Sequence, residues 1–287
     1  MERLTPAQRL RLAGLRAKKA WGQNFLHDAT ISQAIAEAAV AGTPESMPIL
    51  EIGAGLGDLT ERLLATGRRV VAIERDRDLV PILRARFLGE ALEVIEGNAL
   101  THTLDEQDWV VVGNLPYHIS SRLIFQYLPQ RARWRQMTIM LQKELAERAA
   151  APEPGAPGWS SFSAQIARVC EVSWVLDVPP GAFTPPPKVR SAVIQLQPKT
   201  EVMEVDEGAY ERCLRAVFGT RRKTLRNNLK TWFREDPEEL DRCLERLAID
   251  PMRRGETLTL HELVRLAEAL SDRRPVTKRR ERGRPGQ

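Results

Sequence analysis

Between residues 48 and 198 short apolar, β-branched runs alternate with stretches of helical period. The runs are PILEIG (48–53), RVVAIE (69–74), LEVIEG (92–97), WVVVGN (109–114), MTIMLQ (137–142), EVSWVLDV (171–178) and VRSAVIQLQ (189–197). Helix-like segments lie between the first six, such as DLTERLLATG (58–67), which Gly67 closes as a natural C-cap. This alternation predicts a mostly parallel sheet with helices on both faces. WVVV (109–112) is an unbroken apolar run, the mark of a strand buried on both faces. Between the sixth and seventh runs stands only PPGAFTPPPK, with no crossover helix, so the last pair is expected to be antiparallel. After Pro198 the pattern becomes helical over 208–219, 221–234, 237–247 and 259–270, and Thr259 with Glu262 forms a capping box. The expected organisation is an α/β domain over 1–200 with a basic N-terminal extension over 1–20. A small all-α domain follows over 201–272, then a disordered basic tail over 273–287. APEPGAPGW (151–159) reads as a Pro/Gly loop inside the first domain.

Composition narrows the setting. At 287 residues and 43% hydrophobic content the chain can bury a sizeable core. No stretch approaches the roughly 18 apolar residues of a membrane span, and MERLTPAQRLRLAGLRAKK lacks the apolar centre of a secretory signal. Cys170, Cys213 and Cys243 are odd in number and far apart. They match neither a metal site nor a disulfide framework, which points to a reducing, cytoplasmic setting. The net charge of +5 is concentrated in three places. Residues 1–20 hold six Lys/Arg against one Glu, 211–234 hold eight against one, and 272–287 hold seven against two acids. Basic clusters on an otherwise acidic body predict a polyanionic partner, most simply nucleic acid.

The first predicted strand runs into GAGLGDLT (53–60). Gly53, Gly55 and Gly57 allow a tight turn and a close backbone approach to a ligand, with a helix starting behind. Twenty-one residues past Gly53, at the end of the next strand, Glu74 can accept both hydroxyls of a ribose. The spacing is G-x-G-x-G rather than the dinucleotide G-x-G-x-x-G, so an E-x-G-x-G-x-G turn with this acid fits S-adenosylmethionine better than a nicotinamide nucleotide. Seven strands with the last reversed is also the arrangement of the class I S-adenosylmethionine-dependent methyltransferases. At the end of the third strand, Asn98 could accept the exocyclic amine of the cofactor's adenine or form an ordinary Asx turn.

GNLPYHIS (113–120) leaves the fourth strand with an amide, a proline and an aromatic ring together. That combination suits methylation of a base's exocyclic amine, whose lone pair is delocalised into the ring. Two acceptors, the Asn114 side-chain oxygen and a backbone carbonyl near Leu115 and Pro116, can hold the amine with its lone pair toward a methyl donor. Pro116 stiffens the turn, and Tyr117 can stack on the base. Positioning and electrostatics carry such a reaction, so no general-base pair is required. His118 reads as a surface-turn residue.

With these residues, KKAWGQNFLHD (18–28), QKELAER (142–148), GAFTPPPKVRSAVI (181–194) and FGTRRKTLRNNL (218–229) occur in order along nearly the whole chain. Together they resemble the KsgA (RsmA) family of small-subunit ribosomal RNA adenine dimethyltransferases. The resemblance implies that Asn24, Leu26, Gly53, Gly55, Glu74, Asn98 and Asn114 hold S-adenosylmethionine. It implies that Asn114, Leu115 and Pro116 hold the target amine, while Tyr117 and Phe183 sandwich a flipped adenine. Phe183 can also be read as a core residue anchoring its proline-rich loop. Asn98 departs from the family, which usually has Asp there; either side chain can accept the amine. Arg221, Arg222, Lys223 and Arg226 would grip RNA phosphates. The implied reaction places two methyl groups on N6 of each of two adjacent adenosines in the 3′-terminal hairpin of 16S rRNA, within an assembling 30S subunit. The protein would act as a monomer, without a metal and away from membranes, yielding S-adenosylhomocysteine.

Three rival readings remain. A large-subunit adenine methyltransferase of the macrolide-resistance type shares the catalytic turn. A non-catalytic RNA-binding assembly factor could keep the fold. A nicotinamide oxidoreductase requires a glycine spacing that the chain lacks.

Overall fold

In the computed structural model, which describes residues 4–151, 153–233 and 236–273, all seven predicted strands join one sheet. Numbered in chain order, the strands are β1 (Phe25–Leu26), β2 (Ile49–Ile52), β3 (Val70–Glu74), β4 (Leu92–Glu96), β5 (Trp109–Asn114), β6 (Trp134–Gln142), β7 (Cys170–Val178), β8 (Phe183–Thr184) and β9 (Ser191–Pro198). The sheet order is β4-β3-β2-β5-β6-β9-β7. Its first five members are parallel, and β9 lies antiparallel between β6 and β7. The chain forms two compact units, one comprising Met1–Ala150 with Val169–Thr200, the other Ala151–Arg168 with the chain from Glu201 onward.

The first unit carries the sheet, α1 (Pro6–Leu12), α2 (Ala29–Val40), α3 (Asp58–Leu64), α4 (Val80–Arg86), α5 (Ser120–Tyr127) and α6 (Lys143–Ala149). Every residue of β2 and β3 is buried, as expected of central strands covered on both faces. Ile35 of α2 and Leu63 of α3 cover Val70, Val110 and Val112, and Leu83 of α4 packs with Ala72 and Val94. Strand register matches Ile49 with both Val70 and Val110, so these side chains share one sheet face. Near the end of β5 stands Gly113, where a larger residue is crowded out: a Cβ there would lie 2.8 Å from the Ile52 carbonyl oxygen and 2.9 Å from Leu115 Cδ2. The close approach brings the segment after β5 beside the glycine turn after β2.

One expectation fails here. No helix separates β4 from β5; residues 97–108 are turns and irregular chain. Local side-chain bonds take over the backbone: Asn98 Oδ1 accepts the Leu100 N–H, and Asp105 accepts from Gln107 and from the Trp109 indole. Such bonds compete with helical ones. The two-residue strands β1 and β8, too short for any periodicity to show, pair antiparallel and match Leu26 with Phe183.

The second unit contains α7 (Ser161–Val169, whose last residue falls in the first), α8 (Glu207–Val217), α9 (Leu225–Leu229), α10 (Pro237–Arg246) and α11 (Leu260–Ala269). The Thr259–Glu262 capping box is present. Where a helix over 221–234 was expected, only Leu225–Leu229 is helical; residues 234 and 235 lie outside the described residues, as does the tail from 274 onward. Tyr210, Leu214, Leu229, Leu244 and Leu266 form the interior. Residues 151–168 join this unit rather than the sheet domain: Trp159 and Ala164 are buried in the helical core, and the Tyr210 hydroxyl donates to the Ala164 carbonyl at 3.1 Å. A proline- and glycine-rich segment hides this role, since only Trp159 advertises buried area. Cys170, Cys213 and Cys243 are all free and buried.

Candidate active site

The carboxyl ends of β2, β3, β4 and β5 open onto one cavity of about 300 Å³ in the first unit. That is where open α/β sheets place ligands. Asn24, Leu26, Gly53, Gly55, Glu74, Asn98, Asn114, Leu115, Pro116 and Tyr117 all line it. The glycine turn is shaped by two constraints at Gly57, which has φ 82° and whose Cβ would stand 2.5 Å from the Phe87 ring. Only glycine meets both. Glu74 is buried, and its carboxylate is fixed by two backbone donors, Gly55 N–H at 2.8 Å and Asp76 N–H at 2.7 Å. Burial raises its pKa, although these bonds oppose the shift. Each oxygen keeps a lone pair for a further donor, the arrangement that a ribose diol needs.

The N-terminal segment is tied to the end of β3. Lys18 bridges Asp76 and Asp78, and Gln23 donates to Asp76 at 2.7 Å. These bonds hold Asn24 and Leu26 at the cavity. The Asn24 carbonyl in turn accepts the Asn114 side-chain N–H at 3.2 Å. This bond orients the Asn114 amide, leaving its Oδ1 as an acceptor. Among the backbone candidates, the Pro116 carbonyl already accepts from Ile119 N–H and the Ser120 hydroxyl, both at 3.0 Å. The Leu115 carbonyl, which receives neither bond, is therefore the better second acceptor. Tyr117 is half-buried, and its hydroxyl bonds Ser191 Oγ at 2.6 Å; burial raises its pKa, and this bond opposes the shift. His118 is exposed and also lines the cavity.

Asn98 lines the cavity, but its Oδ1 also accepts the Leu100 N–H at 3.1 Å. The oxygen makes the Asx turn and keeps one lone pair, so this turn leaves room for a further donor. Phe183 is different. It is only 2% exposed, packs with Leu26, Val178 and Ala182, and does not line the cavity. The β1–β8 pairing turns its ring into the core, so in this conformation it cannot stack on a base, contrary to the sandwich expected from sequence.

In the helical unit the basic run divides. Arg221 pairs with Glu256 at 2.6 Å, and Arg226 makes a two-pronged pair with Asp241 at 2.7 Å. Arg222 and Lys223 are exposed, and no acid pairs with them among the described ion pairs.

Sequence reasoning gave no separate role to two cavity residues that stand inside its own motifs, Glu51 at the head of E-x-G-x-G-x-G and Trp21 within KKAWGQNFLHD. Glu51 is 1% exposed, and its Oε2 accepts the Thr60 hydroxyl at 2.6 Å. Burial pushes its carboxyl up to about 7, against the opposing Thr60 bond. A lone acid inside the apolar run ILEI was its signal. Trp21 lies partly exposed at the cavity, with Lys18 Nζ 4.8 Å and Arg75 Cζ 5.2 Å from its ring centre. Two buried carboxylates in one cavity suit a cationic ligand bearing a diol, and S-adenosylmethionine is such a molecule. Among the described residues no cluster of His, Cys, Asp and Glu is arranged to hold a metal ion, and no helix is long and apolar enough to cross a membrane.

The family model for ribosomal RNA adenine dimethylase matches residues 14–268. The ribosomal RNA small subunit methyltransferase A of Anaeromyxobacter dehalogenans is 44% identical over 272 residues, covering 89% of this chain and 94% of that protein. Its Pseudomonas aeruginosa counterpart is 42% identical over 265 residues, covering 90% and 96%. Among solved structures, a dimethyladenosine transferase from Plasmodium falciparum superposes with a TM-score of 0.73 at 28% identity, covering 84% of this chain and 95% of that one. The 23S rRNA methyltransferase ErmE gives a TM-score of 0.65 at 25% identity, covering 87% and 100%. The Rossmann-like sheet, the cavity at its carboxyl edge and these matches over most of the sequence lead to one conclusion: the chain belongs to the ribosomal RNA adenine dimethylase family of S-adenosylmethionine-dependent methyltransferases.

Proposed function

We propose that the protein dimethylates N6 of two adjacent adenosines in the 3′-terminal hairpin of small-subunit rRNA, within an assembling 30S particle in the cytoplasm. The observation that carries the reading is the Asn114 amide, oriented by the Asn24 carbonyl within the cavity that Glu74 shares. Asn114 Oδ1 and the Leu115 carbonyl each accept one N–H of the target amine. This directs the nitrogen lone pair at the transferable methyl of S-adenosylmethionine, the electrophile supplied by the bound cofactor. Glu74 receives the ribose hydroxyls, Asn98 the adenine amine, and Glu51 adds negative charge beneath a cationic ligand. Tyr117 stacks on the flipped base, which pays part of the cost of unstacking it. Preorganised dipoles and near-attack geometry lower the barrier, so no general base is required.

The small-subunit assignment rests on identity of 40% or more to relatives bearing that name, against 25% to the large-subunit enzyme. Transfer of a labelled methyl group to isolated 30S and 50S precursor particles tests it. Label is expected in 16S rRNA and not in 23S rRNA; the reverse would assign the chain to the large subunit, and no transfer to either would favour a non-catalytic assembly role. Asn114→Ala is expected to lower kcat by roughly 10²–10³-fold, the usual scale for losing one preorganised polar contact. Calorimetric affinity for S-adenosylmethionine should fall far less.

A further inference from the structure

We propose that Ser191 is a positioning residue for methyl transfer, acting through the hydroxyl of Tyr117. This rests on Tyr117 stacking on the target base. Tyr117 stands in the segment after β5, whereas Ser191 begins β9, and β6 separates those two strands in the sheet. The 2.6 Å bond between their hydroxyls spans that separation. Ser191 itself is fully buried and held on both sides by strand register, opposite Gln142 of β6 and Val178 of β7. The neighbouring Arg190 carbonyl accepts the Lys143 N–H at 2.9 Å, fixing the backbone at this point. A phenol ring on a loop is free to rotate about two side-chain bonds. Anchoring its far end to a rigid strand fixes the first rotation; the second turns about the axis that carries the hydroxyl, and it is restrained because a phenol prefers its hydrogen bond in the ring plane, which favours one plane to offer to a base. Phe183 is buried and does not line the cavity, so Tyr117 is the aromatic ring of the predicted pair that faces the cavity, and its tilt sets the base plane. Since Asn114 and Leu115 precede Tyr117 directly, a base plane set by Tyr117 also determines whether the amine meets both acceptors.

The experiment compares Ser191→Ala, Ser191→Thr, Tyr117→Phe, Tyr117→Ala and the Ser191→Ala/Tyr117→Phe double variant, using 30S precursor particles and S-adenosylmethionine. Ser191→Ala and Tyr117→Phe each remove the bond from one end, so each is expected to lower kcat by about three- to tenfold, the scale of one hydrogen bond. The double variant should be no worse than either alone, because the two residues act as a unit. Ser191→Thr, which keeps the hydroxyl, should restore most of the rate, and cofactor affinity should be unchanged throughout. A hairpin carrying 2-aminopurine at the target position gives a second readout, with stacking-induced quenching weaker in both single variants than in the native enzyme. Additive losses in the double variant, or native quenching in Tyr117→Phe, would overturn the proposal. If Ser191→Ala does not fold, Tyr117→Phe decides the matter from the other end of the bond. Full activity in Tyr117→Ala would instead sink the stacking role of Tyr117, a separate failure from that of Ser191.

Discussion

At the scale of single residues, the site depends on groups whose freedom has been removed. Glu74, Asn114 and Tyr117 each carry a bond that fixes orientation and leaves the functional atom or face available. Glu51 is the exception, a carboxyl with one hydroxyl donor and a pKa of about 7, against 4.5 for an exposed Glu. The raised folded value has a definite consequence for stability. Between pH 4.5 and 7 the native state binds the proton more tightly than the unfolded chain does. The contribution is therefore complete below pH 4.5 and is lost as the pH rises through about 7, on the order of 3 kcal/mol in all. Thermal unfolding scans across this range should show Glu51→Gln with a flatter profile and a higher midpoint than the native protein above pH 7. A cationic cofactor favours the ionised form, so native S-adenosylmethionine affinity should also rise with pH through 7, and less so in the Gln variant. Glu51 was visible in the sequence as the head of E-x-G-x-G-x-G, but not its titration; only the strand's burial makes the acid costly. The acid that ends β3 and the amide that ends β5 were legible, Glu74 by its place at the next strand's end 21 residues past Gly53, Asn114 by Gly113 and Pro116 beside it.

At the scale of elements, the informative feature is how closely β2 and β5 approach at their carboxyl ends. Gly113 sets that distance, and the predicted cofactor turn and target loop are held together by it. Gly113→Ala places a Cβ against the Ile52 carbonyl and the Leu115 side chain, so the strands must part by several tenths of an ångström. Destabilisation of about 1–3 kcal/mol is expected from such overpacking. Because the displaced atoms carry Asn114 and Leu115, kcat should fall by more than tenfold even at temperatures where circular dichroism shows the variant folded. Periodicity identified the seven strands because each is a short run rich in apolar and β-branched residues, buried almost throughout in β2, β3 and β5 and largely half-exposed or exposed in β4 and β7. It predicted a helix too many between β4 and β5, where Asx bonding replaces helical bonding, and a longer helix where only Leu225–Leu229 is helical. It had no means of detecting β1 and β8, whose pairing depends on residues more than 150 positions apart.

At the scale of the whole molecule, the basic segments predict RNA binding, but folding divides their cations. All four are exposed, but Arg221 and Arg226 already pair with Glu256 and Asp241, while no acid pairs with Arg222 or Lys223 among the described ion pairs. Replacing Arg222 and Lys223 together with Ala should therefore reduce the slope of log affinity against log salt by roughly 1.4–1.8, two phosphate contacts' worth. Arg226→Ala should change it less, a contrast that filter binding over a range of salt concentrations will show. The sequence by itself determined the class of sheet, its reversed strand and the family, and it marked the glycine turn, Glu74 and GNLPY as the motifs to look for. Each of these is encoded locally, in periodicity or in a motif of fewer than about a dozen residues. Only tertiary structure decided that residues 151–168 belong with the helices, that Phe183 is core, that Asn24 orients Asn114, and which cations are paired with acids. Those outcomes depend on partners distant in sequence, and burial or pairing between such residues leaves no periodic trace along the chain.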